Sequence, residues 1–234
     1  MFYKFLEGDK SPVSTVLGSL GFKDNSFRYK INDVNICHDF KETELHGNGF
    51  YFADEKNILN FLGYGTTLYE VEIPEDGKII EINDVCKEYK TDKIILKNPV
   101  QITNKIVKKL LEEGATISDD KILGVLTDLD RLGLNDIYDT IFDLIDENDA
   151  EMAYRIQQCS FVKNHYTSYI DKYEKTTNPE VVSTIHNCYQ YNKIYNRTDD
   201  QIDRILLGKI QKNFGMKISD IIIQLEKQYE ENQR

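Results

Sequence analysis

The alternation of apolar and polar residues predicts β-structure in the N-terminal part of the chain. In the stretch LYEVEI, residues 68–73, one face of an extended strand would hold Tyr69, Val71 and Ile73. Because this face is wholly apolar, we expect it to be buried. The stretch TDKIILKN, residues 91–98, is a second β-rich run. The first part of the chain is therefore predicted to contain a sheet.

Beyond Pro99 the apolar residues recur at helical spacing. The stretch NKIVKKLLEEGATI predicts a helix that ends at the C-cap Gly114, with an apolar stripe formed by Ile106, Val107, Leu110 and Leu111. The stretch SDDKILGVLTDLDRLG predicts a second helix, with Ser118 as N-cap and Gly133 at its end. Helical periodicity continues to the end of the chain and includes one long predicted helix over residues 151–175.

The change of period near Pro99 predicts the domain organisation. We expect an α+β domain over residues 1–100 and an all-α helical domain over residues 101–234. No repeat of about 33 residues recurs, which disfavours ankyrin repeats. The helical domain is therefore predicted to be a bundle or an irregular helical stack.

The charge of the chain narrows the classes of partner. Its 234 residues include 40 Asp and Glu against 29 Lys and Arg, a formal net charge of -11. Such a chain repels phosphate backbones, so direct nucleic-acid binding is disfavoured, while docking to a basic protein is permitted. A solvated acidic surface that confers solubility is the alternative interpretation. The N-terminus MFYKFLEGDK lacks a secretory signal and no long apolar run occurs, so we expect a cytoplasmic protein without a membrane segment.

Cysteines and acidic residues give no metal-site pattern. Cys37, Cys86, Cys159 and Cys188 form no paired spacing, so we expect reduced thiols and no structural metal. The stretch DLDRLGLNDIYD departs from a calcium loop, because Leu132 occupies the fifth position.

Tyrosines concentrate in two of the predicted helices and suggest a contact surface. Tyrosine offers rigid apolar area with a polar tip and is enriched at protein interfaces. The alternative is that some of these rings pack the helices together. The candidate partner-binding residues are Tyr166, Tyr169, Tyr173, Tyr189, Tyr191 and Tyr195.

The segment GNGFYFADEKNILNFLG, followed by LYEVEIPEDGKIIE and by DKIILKNPVQITNKIVKKLL, resembles the core of the ADP-ribosyltransferase fold of poly(ADP-ribose) polymerases. The resemblance covers roughly residues 45–111 and implies strands at 49–53 and 68–73 in one sheet, with a helix over about 54–62 between them. It thus implies an ADP-ribosyltransferase-like sheet as the fold of the first domain.

The resemblance also implies an NAD site. Tyr51 matches the tyrosine that stacks on nicotinamide, Gly49 belongs to the glycine turn before it, and Asp92 matches the catalytic Glu. Lys4 stands where the family has a ribose-holding His, for which His46 is a candidate substitute. The shorter carboxylate and the missing His both weaken positioning of the transition state. Glu72 is an alternative carboxylate.

The same layout is similar to a domain that precedes ankyrin repeats in giant-virus proteins, and to a small domain of bacteriophage proteins. The shared pattern runs from YKFL through GNGFYFADEKNILNFLG and YKTDKIIL to VKKLLEEGATI, about half of the chain. This resemblance carries no chemistry, and it implies a viral protein that interacts with other proteins.

Two functions therefore stand open. The first is a non-enzymatic module, viral or phage-type, that binds and modulates a host protein, such as a nucleic-acid-binding or defence protein; it needs no cofactor. The alternative is a divergent ADP-ribosyltransferase that uses NAD.

Overall fold

The computed structural model describes residues 1–11, 27–42, 48–83, 87–195 and 200–232. They form an α+β protein with two compact units, Met1–Ile137 and Tyr138–Arg234. The first unit extends beyond the predicted boundary at residue 100.

The first unit is built on one antiparallel sheet. Its seven described strands have the order β2-β7-β4-β1-β3-β6-β5. They are β1 Phe2–Leu6, β2 Val34–Ile36, β3 Phe50–Asp54, β4 Thr67–Glu72, β5 Ile79–Asn83, β6 Glu88–Thr91 and β7 Lys93–Gln101.

The connection between β6 and β7 forces the sheet to curl. Only Asp92 joins these strands, although β3, β1 and β4 lie between them in the strand order. In a flat sheet β6 and β7 would be about 19 Å apart, at about 4.8 Å per strand. One linking residue spans at most about 7 Å. The sheet therefore curls, so that β6, paired to β3, and β7, paired to β4, meet at Asp92.

The predicted strand over residues 68–73 is β4, and the burial of its side chains agrees with the predicted alternation. Tyr69 and Val71 are buried, and Ile73 is half-buried against the same apolar cluster. Leu68, on the opposite face of β4, is also buried, and it lies against the helical residues Ile106 and Leu110. The apolar cluster inside the curled sheet consists of Leu6, Tyr29, Phe50, Phe52, Tyr69, Val71, Ile94 and Leu96.

The predicted strand over 49–53 is β3, and both β3 and β4 pair with β1. The helix predicted over 54–62 is instead a 3₁₀ helix, Ile58–Tyr64. It starts late because the Asp54 carboxylate accepts the Asn57 backbone N–H at 2.9 Å and holds a turn there. Gly65 ends it where a Cβ atom would lie 2.1 Å from the Leu6 carbonyl carbon.

Two helices complete the first unit and a third, α3, contains the boundary between the units. They are α1 Asn104–Glu112, α2 Ile122–Leu132 and α3 Asn135–Phe142. Gly114 and Gly133 have positive φ angles of 96° and 69°, as expected after helix ends. The prediction of Ser118 as N-cap was wrong. Its backbone and hydroxyl both donate to the Asn60 side chain, and α2 begins only at Ile122.

The second unit is helical. Its helices are α4 Ala150–Gln157, α5 Tyr166–Tyr173, α6 Pro179–Ile194, α7 Asp200–Phe214 and α8 Ile218–Asn232, with a 3₁₀ turn at Ser160–Lys163. The single helix predicted over 151–175 is broken, because Cys159 is extended and the following turn directs Phe161 and Val162 into the core. None of the described helices is long and apolar enough to cross a membrane.

Candidate functional site

Lys4 is a buried ammonium inside the curled sheet. The residue is 8% exposed, its Nζ donates to the Tyr51 carbonyl, and it lies 5.6 Å from the centroid of the Tyr29 ring. Burial lowers the pKa of Lys4 from its usual 10.5 to about 8, and the Glu88 carboxylate opposes this shift. The pairing of β1 with β3 therefore brings together two of the predicted site residues, Lys4 and Tyr51.

Glu88 is a neighbour of this pair that the sequence did not reveal. Burial raises the pKa of the Tyr51 hydroxyl, and the negative charge of Glu88 raises it further. In the pairing of β3 with β6, Glu88 lies opposite Ala53 and Lys90 lies opposite Tyr51. The segment Glu88–Thr91 has no motif that marks Glu88; only the strand pairing places it beside Lys4 and Tyr51.

Gly49 makes room for a second buried lysine. A Cβ atom at Gly49 would lie 2.5 Å from the Lys90 Cγ atom. Lys90 is fully buried, and its Nζ donates to the Lys41 carbonyl at 3.0 Å and lies 5.1 Å from the Phe40 ring centroid. A side chain at Gly49 would therefore displace Lys90.

Asp92 lies at the corner between β6 and β7. Its Oδ1 atom accepts the Lys78 backbone N–H at 2.8 Å, and its carbonyl accepts the Cys37 N–H at 2.8 Å. The first bond ties the Asp92 carboxylate to the backbone of Lys78, and the second ties the Asp92 backbone to Cys37. The alternative carboxylate, Glu72, is exposed and pairs with the Lys97 ammonium at 2.5 Å. His46 lies outside the described residues.

The negative charge of Glu88 acts on both the Lys4 ammonium and the Tyr51 hydroxyl. Within the described ranges, no group of three or more His, Cys, Asp or Glu could hold a metal ion.

The tyrosines predicted to bind a partner divide between core and surface. Tyr169 and Tyr173 are 1% and 0% exposed. They pack the helices together, which corrects their assignment to a contact surface. Tyr189 is half-buried. The exposed members of the set are Tyr166, Tyr191 and Tyr195.

A shallow groove of the first unit, which we call the α1 groove, lies between the sheet and α1. Its volume is about 90 Å³. It is lined by Tyr3, Leu68, Glu70, Asn98, Val100, Ile106, Lys109, Leu110 and Glu113. No sequence motif marks this groove, although the Asn-Pro pair at 98–99 inside a strand-like run is a signal for a bulge.

The fold and these sites define an α+β protein with a curled antiparallel sheet and a helical unit. The sequence is 31% identical over 127 residues to a protein of Acanthamoeba polyphaga mimivirus that is named as an ankyrin repeat protein. The matched region is 51% of this chain and 40% of the mimivirus protein. The predicted similarity to giant-virus ankyrin-type proteins is confirmed to this extent. No protein-family model matches the sequence, and no solved structure gives a significant match.

Proposed function

We propose that this chain is a non-enzymatic, viral-type interaction module that binds and modulates a host protein in the host cytoplasm. The partial similarity to a mimivirus protein named for ankyrin repeats supports a viral setting and binding to proteins. The free thiols Cys37, Cys159 and Cys188 support a reducing compartment.

The observation that carries the proposal is an exposed apolar face at the end of α6, which we call the α6 face. Tyr191, Ile194 and Tyr195 are 49%, 73% and 62% exposed, and their spacing of three and four residues puts them on one side of the helix. The two tyrosine rings lie 4.6 Å apart between centroids. Adjacent large apolar side chains at a surface are typical of protein-binding sites rather than of a solvated helix.

The net charge of the chain suggests the charge of the partner's surface. With a formal net charge of -11, electrostatic steering favours a basic protein surface and opposes a nucleic acid. A basic host protein that itself binds nucleic acid, including one that acts in defence, satisfies both conditions.

Site-specific photo-cross-linking in native host extract tests the proposal. A photoreactive amino acid at Ile194 should give one discrete adduct, while the same group at Tyr154, which is 53% exposed on α4, should give none. Ile194→Ala with Tyr195→Ala should abolish co-purification of the adduct partner. Equal labelling from both positions, or retention of the partner by the double variant, would contradict the α6 face as the binding surface.

A second candidate is an NAD-dependent ADP-ribosyltransferase whose curled sheet is of the ADP-ribosyltransferase type. The observation that favours it is the hydrogen bond from the Lys4 ammonium to the Tyr51 backbone carbonyl, because the family resemblance places these two residues at the ribose and the nicotinamide. Against it, the Asp92 carboxylate already accepts a backbone N–H from Lys78.

Release of labelled nicotinamide from NAD by the purified chain decides between these candidates. The module proposal expects no release above buffer. Release that Tyr51→Ala and Asp92→Asn abolish, while Glu72→Gln retains it, would establish the enzyme with Asp92 as its carboxylate.

A further inference from the structure

The lining of the α1 groove combines apolar and charged residues. We call its apolar members the floor, Leu68, Val100, Ile106 and Leu110, and its other members the rim, Tyr3, Glu70, Asn98, Lys109 and Glu113. With two carboxylates and one ammonium, the rim has an excess of negative charge. A groove of about 90 Å³ is well below the roughly 300 Å³ at which sites for cofactors begin, so its size fits a single side chain.

Glu70 is the carboxylate of this rim that lacks a counter-ion. Among the residues that the structure describes, Glu70 forms no ion pair, whereas Glu113 lies 3.5 Å from the Lys109 ammonium. Glu72, two residues along the same strand, pairs with Lys97. The Glu70 carboxylate is therefore a partly buried negative charge that faces the groove uncompensated.

The Asn98 side chain, at a bulge in β7, holds Glu70 in place. Between the pairs Glu70 with Lys97 and Leu68 with Val100, β7 contains one residue more than β4, which forms a bulge. Asn98 occupies this bulge with a left-handed φ of 49°, and its Nδ2 atom donates to the Glu70 Oε2 atom at 2.6 Å. Glu70 thus presents its charge at a fixed position and keeps its other oxygen for a ligand.

Tyr3 adds an aromatic ring to the lining of the groove. Burial raises the pKa of the Tyr3 hydroxyl, and the negative charges of Glu70, Glu113 and Glu55 raise it further, so all three carboxylates act on this point. Glu55 itself lies 3.4 Å from the terminal ammonium of Met1. A cation beside the Tyr3 ring would gain from the ring and from the carboxylates together.

We propose that the α1 groove binds one lysine or arginine side chain of a protein partner. The aliphatic stem would lie on Leu68, Val100 and Ile106, and the cationic end would pair with the Glu70 carboxylate beside the Tyr3 ring. This inference rests on the proposed function, because it gives the chemistry of the partner, yet it concerns a surface separate from the α6 face.

The test is an NMR titration of the whole chain with N-acetyl-arginine amide and, separately, with N-acetyl-lysine amide. Methyl groups of Leu68, Val100 and Ile106 should shift saturably, with dissociation constants of a few millimolar, roughly what a ligand of this size supports. N-acetyl-citrulline amide has the same stem without the charge and should give no saturable shift. Added salt should weaken the binding.

A pair of variants with the same charge change provides the control. Glu70→Gln should weaken binding of the cationic amides by about fivefold, the effect expected for one partly screened ion pair. Glu75→Gln should leave the affinity unchanged, because Glu75 is exposed and does not line the groove. A backbone NMR spectrum of each variant shows that the fold is retained. Absence of saturation, equal binding of citrulline amide, or unchanged binding by Glu70→Gln would overturn the inference.

The failure of this inference can be distinguished from failure of the proposed function. If Ile194 still cross-links to a discrete partner but the amides do not bind, the interaction module stands and the α1 groove is not its lysine or arginine site. If the amides bind as described and no partner is cross-linked, the groove stands and the α6 face is wrong.

Discussion

Replacing the buried ammonium of Lys4 should change how the stability of the first unit depends on pH. Lys4→Met keeps the length of the side chain and removes its charge. The wild-type ammonium is buried among Leu6, Tyr29 and their neighbours, with the Tyr51 carbonyl as its hydrogen-bond acceptor. The variant loses this bond but no longer buries a charge.

The magnitude follows from the pKa of Lys4. A folded pKa of about 8 against the usual 10.5 means that the unfolded chain binds more protons between these pH values. Stability of the wild type therefore rises with pH across this window, by up to about 3 kcal/mol at about 1.36 kcal/mol per pKa unit. Below pH 8 both states carry the proton, and the full penalty of the buried charge is present. At pH 7, loss of the bond to Tyr51 costs the variant about 1–3 kcal/mol and offsets much of what it gains.

Other groups titrate in the same range, so the comparison with the variant matters. Burial raises the pKa of the Cys37 thiol to about 11 from its usual 9.0, which lowers stability above about pH 9 in both proteins. The contribution of Cys37 is the same in both proteins, so it cancels when the free energy of unfolding of the wild type is compared with that of Lys4→Met.

The assay is urea unfolding at several values from pH 7 to pH 10, followed through the NMR signals of the Leu6 methyl groups inside the first unit. The wild type should gain about 2–3 kcal/mol relative to Lys4→Met over this range. Lys105→Met, at an exposed position of α1, should show a constant difference from the wild type. A difference between wild type and Lys4→Met that stays constant across the range would refute the assignment of Lys4 as a buried ammonium.

Two further changes test how the sheet is held. Gly65→Ala should lower the free energy of unfolding by about 3 kcal/mol or more, since the new Cβ atom would lie 2.1 Å from the backbone of Leu6. Gly124→Ala should instead raise the free energy of unfolding by about 1 kcal/mol, because this position lies inside α2 and a Cβ atom there would meet nothing within 4 Å. Thermal unfolding by circular dichroism checks both, and similar melting temperatures would contradict the tight contact. Asn35→Ala should cost about 2–4 kcal/mol, because the buried Asn35 side chain donates to three carbonyls and accepts the Lys30 N–H at 2.8 Å. Val34→Ala, next to it and exposed, should cost under about 1 kcal/mol in the same urea unfolding.

Several predictions from the sequence depended only on local spacing, and these agree with the structure. The alternation in residues 68–73 gave the buried positions Tyr69 and Val71, and the glycines at 114 and 133 marked helix ends. Helix starts were less predictable. Ser118 has the chemistry of an N-cap, but the buried Asn60 side chain binds it instead. A capping residue can be recognised from sequence, whereas its hydrogen bonds to a side chain far away in the chain cannot.

The candidate sites also divide into residues that could be predicted from the sequence and residues that could not. The sequence identified Lys4 and Tyr51 as a pair only through a family resemblance, and Glu88 and the α1 groove were not found at all. Tyr169 and Tyr191 look alike in sequence, yet one is 1% and the other 49% exposed. Helical spacing tells which side chains share a face, but not which face meets the rest of the unit.

The sequence by itself determined that a β-rich segment precedes a helical one, because strand and helix periods need only neighbouring residues. It also determined the acidic net charge of the chain. The tertiary structure alone decided that the sheet curls, since this follows from pairing β6 with β3 and β7 with β4 across long stretches of chain. That pairing buries Lys4 and sets Glu88 beside Tyr51. The Asn98 side chain, at the bulge in β7, donates to the Glu70 carboxylate at the α1 groove, and this hydrogen bond joins residues far apart in sequence.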